Sequence, residues 1–246
     1  MMKKSLSVRN IIICLSVILF LVFCVSGAYV MIKGWLMYRD AIAEMSIGDR
    51  IQAIRSDEDF TRFSQLPDFY IDAVISVEDQ RFEKHCGIDM IAVCRAIWTD
   101  IKEMSWAEGG STITQQLAKN MIFTQEKKLE RKVAECFAAF AIESRYSKSE
   151  IFELYVNTAY FGSGYYGIHD AAAGYFNKLP SELTDYEAAM LAGLPNAPSV
   201  YSPDANMELA VQRTSQVLRS MVDNKIITQK EADSIMNGCS ETCFTE

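Results

Sequence analysis

The residues best suited to chemistry lie between Glu78 and Glu135. The stretch begins EDQRFEKHCG (Glu78 to Gly87), runs through EGGSTITQQLAKN (Glu108 to Asn120) and closes with ERKVAE (Glu130 to Glu135). Glu78 and Glu135 come from separate segments, which suits acid or base work on a sugar, where a proton moves while charge develops at an anomeric carbon. Lys119, Lys127, Lys128, Arg131 and Lys132 form the densest basic cluster. A pyrophosphate leaving group needs such cations, and Arg supplies a fork matched to phosphate oxygens. Gly109-Gly110-Ser111-Thr112 opens a helix and offers backbone N–H groups to an anion. It lacks the lysine and spacing of a nucleotide phosphate loop, and no His–Asp pattern makes Ser111 a nucleophile. Plainer readings stand beside these. Most glutamates are solvated or paired, a basic run is often a solvated face, and Arg131 with Glu135 four positions on is an ordinary helix-face ion pair. His85 either orients the Glu78 segment or is a structural histidine.

The elements that must position these groups read as helices. Residues 70–77 are apolar on one face and deliver Glu78 and Asp79 at their end. Asp89 caps a helix whose Met90, Cys94, Ile97 and Ile101 recur at helical spacing, a pattern read here as core. Thr112 with Gln115 forms a capping box, as do Ser147 with Glu150, Thr184 with Glu187 and Thr228 with Glu231. Ile113, Leu117 and Met121 share a face, so Gln116 and Lys119 point elsewhere. Met121-Ile122-Phe123 packs in the core or dips into a bilayer surface, with core the default. Ile151, Leu154, Tyr155 and Thr158 make another stripe. FGSGYYG (Phe161 to Gly167) reads as a glycine-hinged aromatic loop, and Tyr160, Tyr165 and Tyr166 either stack on sugars or fill the core. Helices follow at 168–176, from Asp185 to Gly193, and near 207–223 and 229–237, with Pro198 and Pro203 holding an extended stretch between.

Composition narrows the field. The chain has 246 residues and a net charge of -8. Four of its 24 basic residues and none of its 32 acidic ones lie in the first 33 positions, which leaves 20 against 32, or -12, for the rest. Such a surface argues against nucleic-acid binding. No charge occurs from Asn10 to Ile32, and as a helix this run is about 34 Å long, enough to cross hydrocarbon. Lys3, Lys4 and Arg9 precede it and Trp35 and Tyr38 follow, so the expectation is a cytoplasmic tail (1–9), an uncleaved single-pass anchor (10–33) and a body outside the membrane. The competing reading is a signal peptide cleaved near Ala28, which the length of the apolar run disfavours. Residues 34–64 read as a stalk, 65–238 as the globular domain and 239–246 as a tail. Seven cysteines imply no complete disulfide framework, and two histidines make no paired metal motif.

Taken together, these segments resemble the family 51 peptidoglycan glycosyltransferases, found as monofunctional enzymes and as the transglycosylase domain of class A penicillin-binding proteins. EDQRFEKHCG is similar to the first family motif, GGSTITQQLAKN to the second, RKVAECFAAFAIE to the third, SKSEIFELYVNTAYFGSGYYGIHDAAAGYFNK to the fourth and EAAMLAGLPNAPSVYSP to the fifth. The resemblance covers roughly residues 65–222, with small departures at Cys86, Ile142, Val156 and Asn177. It implies a mainly α, lysozyme-like, two-lobed domain with a membrane-associated jaw, acting on lipid II outside the cytoplasmic membrane. Glu78 matches the base that deprotonates the acceptor 4-hydroxyl, and Glu135 the second essential glutamate. Lys119 and Arg131 match pyrophosphate-contacting cations, and Ser111, Thr112, Gln115, Gln116 and Asn120 match cleft positions. Asp79, Phe82 and His85 match residues that shape the site.

The expected reaction joins lipid II into β-1,4-linked glycan with inversion at the donor MurNAc C1 and release of undecaprenyl pyrophosphate. With no room for a transpeptidase domain, a monofunctional polymerase is expected. Its partners would be lipid II, the growing glycan strand, the membrane and other wall-synthesis proteins. No cofactor or protein metal site is expected, although the resemblance admits a divalent cation, Mg or Mn, at the pyrophosphate. Two rivals remain: a lysozyme-like lytic enzyme, and an inactive membrane scaffold for wall synthases.

Overall fold

The computed structural model describes residues 8–103, 110–123 and 128–242. Lys3, Lys4, Lys127 and Cys243, together with the opening of the glycine turn at Gly109, lie outside the described residues, as does most of the expected cytoplasmic tail.

Helix α1 (Val8–Glu44) is longer than the expected anchor because no breaker interrupts it. Its apolar part, with mean hydropathy 2.9, is wholly unburied and long enough to cross a membrane by length and composition. The last turns pack on α6 (Leu129–Glu143). Gly34 permits this crossing, since a Cβ there would lie 2.6 Å from Val133 Cβ and 2.9 Å from the Glu130 carbonyl. Trp35 then meets Phe137 edge-on at 5.1 Å, a favourable aromatic geometry.

Residues 34–64 are therefore not a free stalk. Ser46 caps α2 (Ile47–Arg55), and Ile47 and Ile51 enter the core at 2% exposure. Arg50 donates to the carbonyls of Ala41, Met45 and Met121, closing the ends of α1 and of α5 (Ile113–Ile122) at once. Two isoleucines four apart in a polar stretch are a weak periodic signal, which is why this attachment was not legible.

The core gathers α3 (Asp68–Glu78), α5, α7 (Lys148–Thr158), α9 (Asp185–Gly193) and α11 (Met207–Asp223). Central α9 is buried from Ala188 to Gly193 on every side, as a helix apolar all round must be. All four expected capping boxes form, at Thr112, Ser147, Thr184 and Thr228. Each satisfies N–H groups that a helix start otherwise leaves open, an effect of about 1 kcal/mol. Met121, Ile122 and Phe123 pack partly buried against the core.

Two further expectations are corrected. Helix α4 (Met90–Glu103) starts on the Asp89 cap as read, but it is not core: Met90, Ile91 and Trp98 are 64%, 51% and 72% exposed. Helical spacing reports an apolar face, not what covers it. The domain is mainly helical as expected, with the aromatic loop closing as a small antiparallel hairpin, β1 (Tyr160–Gly162) with β2 (Tyr165–Tyr166). Gly162 makes that turn at φ +90, and a Cβ there would stand 2.6 Å from Ser202 Cβ. After α8 (Ile168–Phe176), Pro198 opens the short helix α10 (Pro198–Tyr201) instead of an extended stretch, since proline suits a first helical turn. Helix α12 (Gln229–Thr242) is the last described element.

The α1–α6 crossing is testable. Gly34→Leu must push the two helices apart and is expected to lower stability by about 1–3 kcal/mol. Gly27→Leu, where a Cβ meets nothing within 4 Å, is expected to leave the thermal midpoint of the detergent-solubilised protein unchanged.

Candidate active site

Helix α3 ends at Glu78 because Asp79 leaves helical backbone, with φ -155 and ψ 76. The Glu78 side chain is 7% exposed. Gln116 Nε2 donates to its Oε2 at 2.6 Å, and Tyr155 donates to the Gln116 Oε1 at 3.4 Å, fixing the direction of that amide. Glu78 Oε1 accepts no hydrogen bond among the described residues, and Arg213 Nη2 stands 3.8 Å from it. Burial dominates and raises the Glu78 pKa above the ordinary carboxylate value; Gln116, Arg213 and Lys119 offset part of the rise, and Asp79 adds to it. Burial also pushes the neighbouring Tyr70 and Tyr155 phenols up, with the Glu78 charge acting the same way.

The next residue ties this helix end to the rest of the site. Asp79 Oδ2 accepts the Ile113 N–H at 3.0 Å, an orphan donor of the first turn of α5, while His85 Nε2 lies 2.9 and 3.0 Å from its two oxygens. Thr112 donates to the Gly87 carbonyl at 2.6 Å. Lys148 donates to the His85 carbonyl and to Glu143, and its ammonium sits 4.5 Å over the buried Phe82 ring. Glu143 also accepts from Thr114 at 2.7 Å. The loop after Glu78 is thus fastened to α5 along its length.

On the other side of α5, Glu135 is 1% exposed. Arg131 Nε lies 3.3 Å from its Oε1 and Lys132 Nζ 3.0 Å from its Oε2, and Lys132 donates to Ser111 Oγ at 2.6 Å. A buried carboxylate between two cations helps to hold both in place. Gln115 completes the Thr112 cap and donates to Cys136 Sγ; burial is the main reason that thiol is pushed up. Lys119 and Asn120 are half-buried on the last turns of α5.

The structure therefore brings Glu78, Asp79, Phe82, His85, Gln115, Gln116 and Thr112 into one bonded frame, with Ser111, Arg131 and Glu135 joined by Lys132. A cleft beside Glu78 is lined also by Arg81, Asp89, Arg95 and Ser111, with Arg81 Nε 3.1 Å from Asp89. Two partners were not anticipated as site residues. Lys132 was visible only as one of a basic cluster. Arg213 carries no local signal: it comes from α11, held by the Gly193 carbonyl and Gln216 and lying over the Tyr201 ring.

In this cleft Asp79 is held by His85 and the Ile113 N–H and Asp89 by Arg81, while Glu78 has one oxygen on Gln116. Among the described residues, the group of three acidic or His side chains with ligand atoms close enough for an ion is Asp59, His169 and Asp170, none of which lines this cleft.

The family described as Transglycosylase matches residues 47–222, a span that begins at α2 rather than at residue 65. Penicillin-binding protein 1A of Neisseria lactamica is 45% identical over 179 residues, 73% of this chain and 22% of that protein. Its counterpart in Aquifex aeolicus is 42% identical over 178 residues, 72% of this chain and 24% of that protein. A crystal structure of penicillin-binding protein 1A from Haemophilus influenzae overlaps 50% of this chain and 15% of that one at 32% identity, with a TM-score of 0.34. The chain spans less than a quarter of the length of these relatives. On the family match, which takes in the whole frame from Glu78 to Arg213, this chain belongs to the transglycosylase family, of mainly helical, lysozyme-like fold.

Proposed function

We propose that this chain is a peptidoglycan glycosyltransferase that polymerises lipid II. The observation that carries the reading is Glu78: a buried carboxylate with one oxygen free of hydrogen bonds among the described residues, made more basic by burial, with the Arg131 and Lys132 cations anchored on Glu135 on the other side of α5. In this mechanism Glu78 takes the proton from the acceptor GlcNAc 4-hydroxyl. That oxygen forms a bond to C1 of the donor MurNAc from the face opposite the pyrophosphate. The C1–O bond breaks, undecaprenyl pyrophosphate leaves with the electron pair, and the new linkage is β-1,4. Lys119 and Arg131 stabilise the departing charge, with Lys132 added to the set because it shares Glu135 and reaches Ser111. Glu135 acts through these cations and is not itself the base. A divalent cation, Mg or Mn, would enter on the substrate's pyrophosphate. The basic residues at the start of the chain support an N-terminus in the cytoplasm and a domain on the outer face of the cytoplasmic membrane, with α1 as the anchor. Other wall-synthesis proteins are the expected partners.

A raised carboxylate pKa would serve a lytic acid equally well. The cation layer favours synthesis, because cutting a glycan releases no pyrophosphate.

The deciding experiment incubates the untruncated chain in detergent with labelled lipid II and follows glycan on a gel. Wild type is expected to make polymer and Glu78→Gln about 10²–10⁴-fold less. Because burial raises the Glu78 pKa, its ionised form weakens the fold as pH rises through the window above the ordinary glutamate value. Glu78→Gln is therefore expected to melt at the wild-type temperature or higher at neutral pH. Equal polymer from both proteins refutes the base assignment, and release of soluble fragments from cell wall without polymer establishes the lytic reading.

The pH profile gives a second check. Activity needs ionised Glu78, so turnover is expected to fall on the acid side at a higher pH than an exposed glutamate would give. Arg213→Ala removes a charge that lowers the Glu78 pKa and is expected to move that limb further up in pH, with Arg213→Lys restoring part of it. An unmoved limb in Arg213→Ala would separate Arg213 from the base.

A further inference from the structure

We propose that the chain binds a divalent transition ion of the zinc class through Asp59, His169 Nδ1 and Asp170, at a site unconnected with the cleft beside Glu78. His169 Nδ1 lies 3.5 Å from Asp59 Oδ1 and 3.8 Å from Asp170 Oδ1, and the ligand atoms of all three residues lie within 4.8 Å of one another. Tetrahedral zinc with bonds of about 2.0–2.1 Å holds its ligand atoms about 3.3 Å apart.

Three observations favour an ion over a simple His–Asp pair. His169 Nδ1 is shielded from solvent yet makes no hydrogen bond, and 3.5 Å is longer than a nitrogen-to-oxygen hydrogen bond. The pocket is lined by Asp57 as well as Asp59 and Asp170, and among the described residues no Lys or Arg lines it. Its two halves are also held in register independently of any ion. Asn157 accepts the Thr61 N–H and donates to the Thr61 carbonyl, both at 2.8 Å, fixing the 57–61 loop to α7 beside the start of α8. An imidazole with carboxylates matches zinc-class ions rather than calcium or magnesium, which take oxygen ligands. Asp59 and Asp170 are about half exposed, which leaves the remaining coordination position to solvent. Bound there, the ion would clamp the segment after α2 to α8 from outside the catalytic frame.

The test is calorimetric titration of the untagged chain in detergent with ZnCl2, alongside Co(II) absorption. One saturable equivalent is expected, weakened at least tenfold in His169→Ala and in Asp59→Asn, with a thermal midpoint that rises with zinc only in wild type. The Co(II) spectrum is expected to lack a thiolate charge-transfer band, which excludes Cys86, Cys94 and Cys136 as ligands. Absent saturable binding, binding unchanged in both variants, or a thiolate band would overturn the proposal. None of these readouts involves lipid II, so the outcome stands apart from that of the polymerase assay.

Discussion

The frame around Glu78 depends on one buried carboxylate, Asp79. Asp79 accepts from the first N–H of α5 and from His85, and it directly follows Glu78. It therefore fixes three things together: where α3 stops, how α5 begins and where the following loop runs. With α5 held, Gln116 falls against Glu78 on one side and Gln115 against α6 on the other. The physical reason such a residue governs the site is desolvation. A buried charge that loses either donor costs several kcal/mol, so alternative arrangements of the three segments lie well above the native one.

The two glutamates illustrate opposite uses of the same environment. Glu135 is compensated on both oxygens by Arg131 and Lys132, and its charge organises cations. Glu78 is compensated on one oxygen by a neutral amide and only distantly by Arg213, so burial wins and its basicity rises. The fold carries this ionised residue at a cost to stability. Arg50 extends the frame toward the membrane helix, since its guanidinium joins the ends of α1 and α5 through their carbonyls.

Much of this was legible in the residues. Helix starts were readable because a capping box is a local device: four residues contain the whole interaction, and Thr112, Ser147, Thr184 and Thr228 all form as read. The candidate site was readable because its motifs keep their spacing. Features made by distant partners were not. Arg213 meets Glu78 across 135 positions of sequence, and nothing near either residue records it. The α4 helix was misread as core because an apolar stripe looks the same whether protein covers it or not. The attachment of residues 47–61 was missed because it rests on Ile47, Ile51 and a pair of bonds from Asn157 to Thr61, too few apolar positions to show a period.

The most direct measurement is to replace Asp79 by Ala and follow thermal unfolding and lipid II turnover on the same preparation. The account predicts a clear fall in the melting temperature, from about 3–5 kcal/mol of lost stability as His85 and the Ile113 N–H lose their partner. It also predicts a loss of turnover at temperatures where the variant is still folded, because Gln116 no longer holds Glu78 in place. A variant that melts and polymerises like wild type would show that the site does not depend on Asp79.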